Sequence, residues 1–208
     1  MPSVPTLESA IAALAPADVR TGVRLIDADD LGDLRDAEAR HVTQAVAKRR
    51  NEFATGRRLL RQLLATDAAI PVAPDRRPLF PPGAVGSLAH DAEVAVAAVA
   101  HTDSYRALGI DVEPAGSVDR AVADAILRPD EAELDPLLAF TLKEAVYKAW
   151  SMSGGPMLEH HDVRLRVERQ STADAIPFRG EVVAAGDVLT GSYCLADDRW
   201  LALVTIAR

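Results

Sequence analysis

Asp111-Val112-Glu113 places two carboxylates two residues apart in a stretch, 107–113, that reads as a strand. Side chains at i and i+2 share a strand face, so both acids point one way while Ile110 and Val112 point into the core. Like charges so placed repel, and a divalent cation would relieve them. Hard oxygen donors with water completing an octahedron suit Mg²⁺. Lys143-Glu144-Ala145-Val146-Tyr147-Lys148 sets Glu144 four residues before Lys148, the favourable order for an ion pair on a helix. Between Lys48 and Arg61 stand six cations against one acid, Glu52. At about 100° per residue, Arg50, Arg57 and Arg61 fall within about 40° of one another. Guanidinium forks in such a stripe suit phosphate oxygens. Gly86-Ser87-Leu88-Ala89-His90 closes another strand with a hydroxyl, backbone N–H groups and an imidazole, a set that also suits phosphate. Each signal alone has an ordinary reading: a solvated helix edge, an acidic strand face, a surface ion pair, a turn histidine.

The elements that must position these residues follow from pattern and punctuation. Residues 35–65 read as one helix, free of Gly and Pro until Gly56. Residues 71–83 carry five of the 13 prolines and predict an extended connection. Two apolar runs, 84–88 and 94–100, read as neighbouring strands, and a third, 107–113, is stopped by Pro114. Asp135-Pro136 is a capped helix start; the helix runs to about Met152, where Ser153-Gly154-Gly155-Pro156 ends it. Stretches 163–168, 178–184, 192–196 and 200–207 alternate as antiparallel strands do. The class is α+β, with a seam near residues 101–106 and similar material on both sides.

The chain has 208 residues, enough for one large domain or two small ones. With 49% hydrophobic and 26% charged residues it can bury a core, which rules out wholesale disorder. Aromatics are only 4%, so the core must lean on Ala, Val and Leu. A net charge of −8 argues against a general nucleic-acid binder, so a phosphate-bearing ligand needs a local cationic patch. Cys194 is the one cysteine, which excludes an intrachain disulfide and a cysteine-built zinc site. Without a basic, apolar leader or a long apolar run, the expected setting is the cytoplasm, away from membranes.

Taken in order, these pieces resemble the Sfp-type 4′-phosphopantetheinyl transferases, and within them the actinobacterial members that serve polyketide, nonribosomal-peptide and lipid synthases. The resemblance runs over residues 45–162. It rests on Lys48-Arg49-Arg50-Asn51-Glu52-Phe53 with Gly56-Arg57, then Arg77-Pro78 with Pro81, then Gly86-Ser87 with His90. Gly109-Ile110-Asp111-Val112-Glu113 and Lys143-Glu144-Ala145-Val146-Tyr147-Lys148-Ala149-Trp150 complete it.

What the resemblance implies is transfer of the 4′-phosphopantetheine arm of coenzyme A to a serine of an apo acyl or peptidyl carrier protein, with 3′,5′-ADP leaving. It implies two similar lobes related by a pseudo-twofold, here 1–103 and 104–208, with the active site in the cleft between them and a monomeric chain. It implies that Asp111, Glu113 and Glu144 hold Mg²⁺, that Glu144 is the base, and that Lys143 and Lys148 lie by the pyrophosphate. Arg50, Arg57, Arg77, Ser87 and His90 would grip the 3′-phosphate and the pyrophosphate. Three departures stand out: Ala89 where relatives carry a hydroxyl, read as a hydroxyl missing from the phosphate pocket, Ser151-Met152-Ser153-Gly154-Gly155 where they carry an aromatic-proline pair, and Phe80 where they often carry Trp. The rival reading is a noncatalytic coenzyme A or carrier-protein binding relative. The intact acids and lysines favour the enzyme, and nothing supports a phosphohydrolase. His160-His161-Asp162 is read as structural, since adjacent histidines on an extended segment face opposite ways. Cys194 is read as inert packing, and Tyr147 and Trp150 as core.

Overall fold

The structure is a computed structural model that describes residues 1–74, 76–167 and 174–208. Helix α1 (Val4–Leu14) has Pro5 in its first turn and buries Leu7, Ile11 and Leu14 along one stripe. Strand β1 (Arg20–Leu25) follows. Neither α1, nor β1, nor the short α4 (Arg120–Ile126) figured among the expected elements. The helix expected over 35–65 is instead two, α2 (Asp36–Val42) and α3 (Ala47–Leu64). No Gly or Pro marks the break. The Thr43 hydroxyl donates to Ala39 O at 3.0 Å, a bond that competes with the helical ladder, and Val46 turns extended.

Strands β2 (Ala84–His90) and β3 (Val94–His101) form the expected antiparallel pair, in register from Ala84↔His101 to His90↔Ala95. β4 (Tyr105–Pro114) ends at Pro114 as expected. Helix α5 (Pro136–Met152) starts where the sequence predicts, with the Asp135 carboxylate accepting from Leu138 N at 2.9 Å. β5 (Val163–Val167), β6 (Ile176–Val182), β7 (Asp187–Ala196) and β8 (Arg199–Ala207) match the four alternating stretches, and Glu168 lies outside the described residues.

The architecture is α+β, with two antiparallel sheets ordered β1-β3-β2 and β4-β8-β7-β6-β5. Helix α3 covers one face of the first sheet through Leu59 and Leu60 against Ala95, Ala97 and Val99. Helix α5 covers one face of the second, packing Leu142, Ala145 and Val146 against Phe178, Val182 and Val204. The remaining faces meet in a shared core, where Leu7 and Ile11 of α1 join Val94 and Val96 of β3, Ile110 of β4, and Leu201 and Leu203 of β8. Two polar ties cross this junction. Ser87 Oγ accepts from Ile110 N at 3.1 Å. Arg199 donates to Asp91 Oδ2 at 2.7 Å and Glu93 Oε2 at 2.5 Å. Among the described residues no helix is long and apolar enough to cross a membrane.

Candidate active site

Helix α5 and strand β4 meet backbone to backbone at Gly109. A Cβ there would lie 1.9 Å from Ala145 O and 2.7 Å from Ala149 N, so no larger residue fits without moving the helix. This approach carries the Lys148 ammonium onto β4, where it donates to Ile110 O at 3.1 Å and to Asp111 Oδ1 at 2.5 Å. Asp111 is buried, and its Oδ2 has no hydrogen-bond partner among the described residues. Burial pushes its carboxyl up to about 6, against the pull of Lys148 and with the charge of Glu144 adding to the rise. Glu113, half-buried on the same strand face, is pushed up to about 7, by burial first and then by the Asp111 charge, with Asp91 and Glu144 contributing. The three acids therefore feel one another, as the i, i+2 spacing and the helix register require. Among the described residues no three His, Cys, Asp or Glu side chains are gathered closely enough, as they stand, to hold a metal ion.

Beside the acids opens a cavity of about 290 Å³, walled by α2, α3, the proline-rich connection and the end of β2. Arg57 is buried in its wall. Its Nε donates to Ile70 O at 2.7 Å and its guanidinium lies 4.3 Å over the Phe53 ring, while His41 stacks on the same ring. Burial lowers the Arg57 guanidinium to about 10, so it stays charged at neutral pH. Arg49 Nη1 donates to His90 Nε2 at 2.9 Å, and His90 Nδ1 faces Asp91 O at 3.3 Å. That pattern describes a neutral ring protonated on Nδ1. It agrees with the depression of His90 by burial, opposed by Glu52 and furthered by Arg49 and Lys148. His90 lines the cavity and feels the Lys148 charge, which joins the cationic pocket to the acids.

Asp111, Glu113, Glu144 and Lys148 thus come together, and Arg57 and His90 come together next to them. Four expected residues do not join them. Lys143 is 1% exposed and donates to Glu131 Oε2 at 2.6 Å and Ile126 O at 2.8 Å, on another face of α5 from Lys148. Five positions on a helix amount to about 140° around its axis, which separates the two lysines. Ser87 is buried at the sheet junction. Positions an odd number apart on a strand face opposite ways, so neither Ser87 nor Ala89 shares the face of His90. Ala89 lies in the shared core, which corrects its reading as a gap in the phosphate pocket. Arg50 stays exposed in the first turn of α3, outside the cavity wall. Arg77 is exposed on the connection, with Nη1 3.5 Å from Met152 O at the end of α5.

Four residues outside the assigned contact set, Arg49, Glu52, Phe53 and Arg76, also line the cavity. The cationic run that holds Arg49 was visible, but which of its members turns inward depends on where α3 begins. His160-His161-Asp162 forms a 3-10 turn rather than an extended segment, yet the two rings do part. His160 Nε2 stands 3.7 Å from Glu144 Oε1, whereas His161 Nε2 faces Asp124 O at 3.2 Å. Cys194 is buried and its thiol is pushed up to about 11, mainly by burial, which makes it the inert packing expected. Trp150 packs at the core edge and donates to Pro156 O at 3.0 Å; Tyr147 is half-buried.

Comparison with known proteins gives the family. Residues 37–100 match the 4′-phosphopantetheinyl transferase N-terminal domain. The chain is 33% identical to 4′-phosphopantetheinyl transferase Npt of Nocardia iowensis, over 92% of this chain and 94% of that one. It is 36% identical to 4′-phosphopantetheinyl transferase Svp of Streptomyces mobaraensis, over 92% of this chain and 84% of the other. It is also 35% identical to 4′-phosphopantetheinyl transferase PptT of Mycobacterium tuberculosis, over 74% of each chain. The chain belongs to the 4′-phosphopantetheinyl transferase family, and it is a transferase.

Proposed function

We propose that the chain transfers the 4′-phosphopantetheine arm of coenzyme A to the serine of an apo acyl or peptidyl carrier protein, as a cytoplasmic monomer that requires Mg²⁺. Residues 1–103 and 104–208 are read as its two lobes, with coenzyme A between them. The observation that carries this reading is the adjacency of an acidic cluster and a cationic cavity, joined at His90 and Lys148. Such a pairing suits one pyrophosphate-bearing substrate that also carries a separate phosphate.

The chemistry of the donor set, three carboxylates, suits a hard divalent cation, although the three are not gathered around one point as they stand. Asp111 Oδ2 is buried and without a partner among the described residues, and the half-buried Glu113 and Glu144 carboxylates interact with its charge. Asp111, Glu113 and Glu144 would hold Mg²⁺ with water, and when bound it would supply charge neutralisation at the pyrophosphate. The chain's own groups do the rest. Lys148 spends two of its three N–H donors on Ile110 O and Asp111, which leaves one for a pyrophosphate oxygen. Arg57, fixed through Nε, keeps its other nitrogens for the 3′-phosphate, with Arg49, Arg76 and His90 around it.

Glu144 takes the serine proton, directly or through water, as the serine Oγ bonds to the phosphorus that bears the pantetheine arm. The bond from that phosphorus to the departing 3′,5′-ADP breaks, and the leaving group carries off the electron pair. The nucleophile comes from the carrier, so the chain needs positioning and charge compensation rather than a nucleophile of its own. Incubation with coenzyme A, Mg²⁺ and an apo acyl carrier protein should raise the carrier's mass by one phosphopantetheine. An unmodified carrier, with coenzyme A still bound on calorimetry, would favour the noncatalytic relative instead.

A further inference from the structure

We propose that His160 is a positioning residue that holds the Glu144 carboxylate in its reactive orientation; the inference rests on Glu144 being the base. The chain leaves α5 at Met152 and returns to it eight residues later at the 3-10 turn His160–Asp162. That turn is tied down on several sides. Asp162 Oδ2 accepts from Glu159 N at 2.8 Å, Val183 N donates to Asp162 O at 2.9 Å, and the Arg128 guanidinium donates to His161 O. None of these ties uses the His160 ring. The ring instead packs edge-on against Phe140, with centroids 5.2 Å apart. Phe140 and Glu144 are one turn apart on α5, so the ring lies over the stripe that carries both.

His160 Nε2 then stands 3.7 Å from Glu144 Oε1, with the side chains 33% and 27% exposed. This separation is too long for a direct hydrogen bond and suits a polar contact of the ring nitrogen with the carboxylate through one water, which limits where the carboxylate can swing. A flexible, half-buried Glu gains from such a restraint, because a misplaced reacting group costs up to roughly a hundred-fold in rate. The turn's own anchors make the ring dispensable for the fold, which leaves Glu144 and Phe140 as what it serves.

The test is a double-mutant cycle with coenzyme A, Mg²⁺ and an apo acyl carrier protein. His160→Ala should lower kcat roughly ten-fold with the KM for coenzyme A nearly unchanged, within the range that misplacement produces. Coenzyme A affinity by calorimetry should not move. His160→Gln, which restores a nitrogen near Nε2, should recover most of the rate, while His160→Phe, which keeps the ring packing on Phe140, should not. In a Glu144→Gln background His160→Ala should cost nothing further. Normal turnover by His160→Ala or His160→Phe beside a crippled Glu144→Gln would overturn the role of His160 alone, as would a full ten-fold loss in the Glu144→Gln background. Normal turnover by Glu144→Gln would overturn the base assignment first, and the role of His160 with it.

Discussion

Burial keeps Asp111 protonated up to about pH 6 and Glu113 up to about pH 7, well above ordinary carboxyls. In the unfolded chain both ionise earlier, so between about pH 4 and 7 the folded state binds more protons than the unfolded one. Stability from these groups is therefore lost as pH rises through that window. For the metal-free protein, Glu113→Gln should gain melting temperature over the wild type as pH goes from 5 to 7.5, followed by circular dichroism. A difference that stays constant across this range would refute the shift. The opposite end of the site gives a second prediction. Arg57→Ala should raise the KM for coenzyme A by about ten-fold or more, the cost of one charged hydrogen bond. The KM of the 3′-dephospho analogue should rise far less, and equal penalties would move Arg57 to the pyrophosphate. Period two on a strand made Asp111 and Glu113 legible as a facing pair, whereas Glu144 and Lys148, by spacing alone an ordinary helix pair, were joined to them by the family resemblance. The same geometry separates Lys143 from Lys148, and Ser87 from His90. His160 was not legible, since its approach to Glu144 depends on where the chain returns after α5.

Among the elements, Gly109 decides whether the site exists. Its hypothetical Cβ meets backbone atoms of α5, which no side-chain rotation can clear. Gly109→Ala must push α5 off β4, lifting Lys148 from Ile110 O and Asp111 at the same time. We expect a loss of roughly 1–3 kcal/mol from overpacking, read by urea denaturation. The loss in transfer should exceed what that destabilisation explains, measured well below the melting temperature. Full activity in a stably folded Gly109→Ala chain would show that the close approach is not what sets the site. Strands β2 to β8 and α5, though not β1, were readable from apolar runs, alternation, Pro114 and a capping aspartate. The break between α2 and α3 was not, as it rests on a threonine hydroxyl and on the inward turn of Val42 and Ala45 toward the cavity. The cavity wall depends on that break, so the cationic pocket was visible in composition and only partly in membership: Arg57 and His90 line it, Arg50 and Arg77 do not.

Across the whole molecule, Arg199 bridges the turn after β2 to the β7–β8 turn through Asp91 and Glu93. Arg199 is 7% exposed and Asp91 9%, so removing one partner strands a buried charge. Arg199→Ala should cost about 3–5 kcal/mol by denaturant titration. A change under about 1 kcal/mol, the value of an exposed pair, would mean that water already screens the bridge. The shared core has a further consequence. It joins Leu7 and Ile11 to Leu201 and Leu203, residues almost two hundred positions apart. During synthesis α1 emerges long before β8, so its apolar stripe must wait with only part of its final cover. Contacts of such long range also slow folding, because a large loop closes before they are rewarded. The early-made cationic pocket and the late-made acids can then mature only together, and a ribosome-bound chain lacking β8 would be an incomplete enzyme with an exposed, chaperone-attracting α1.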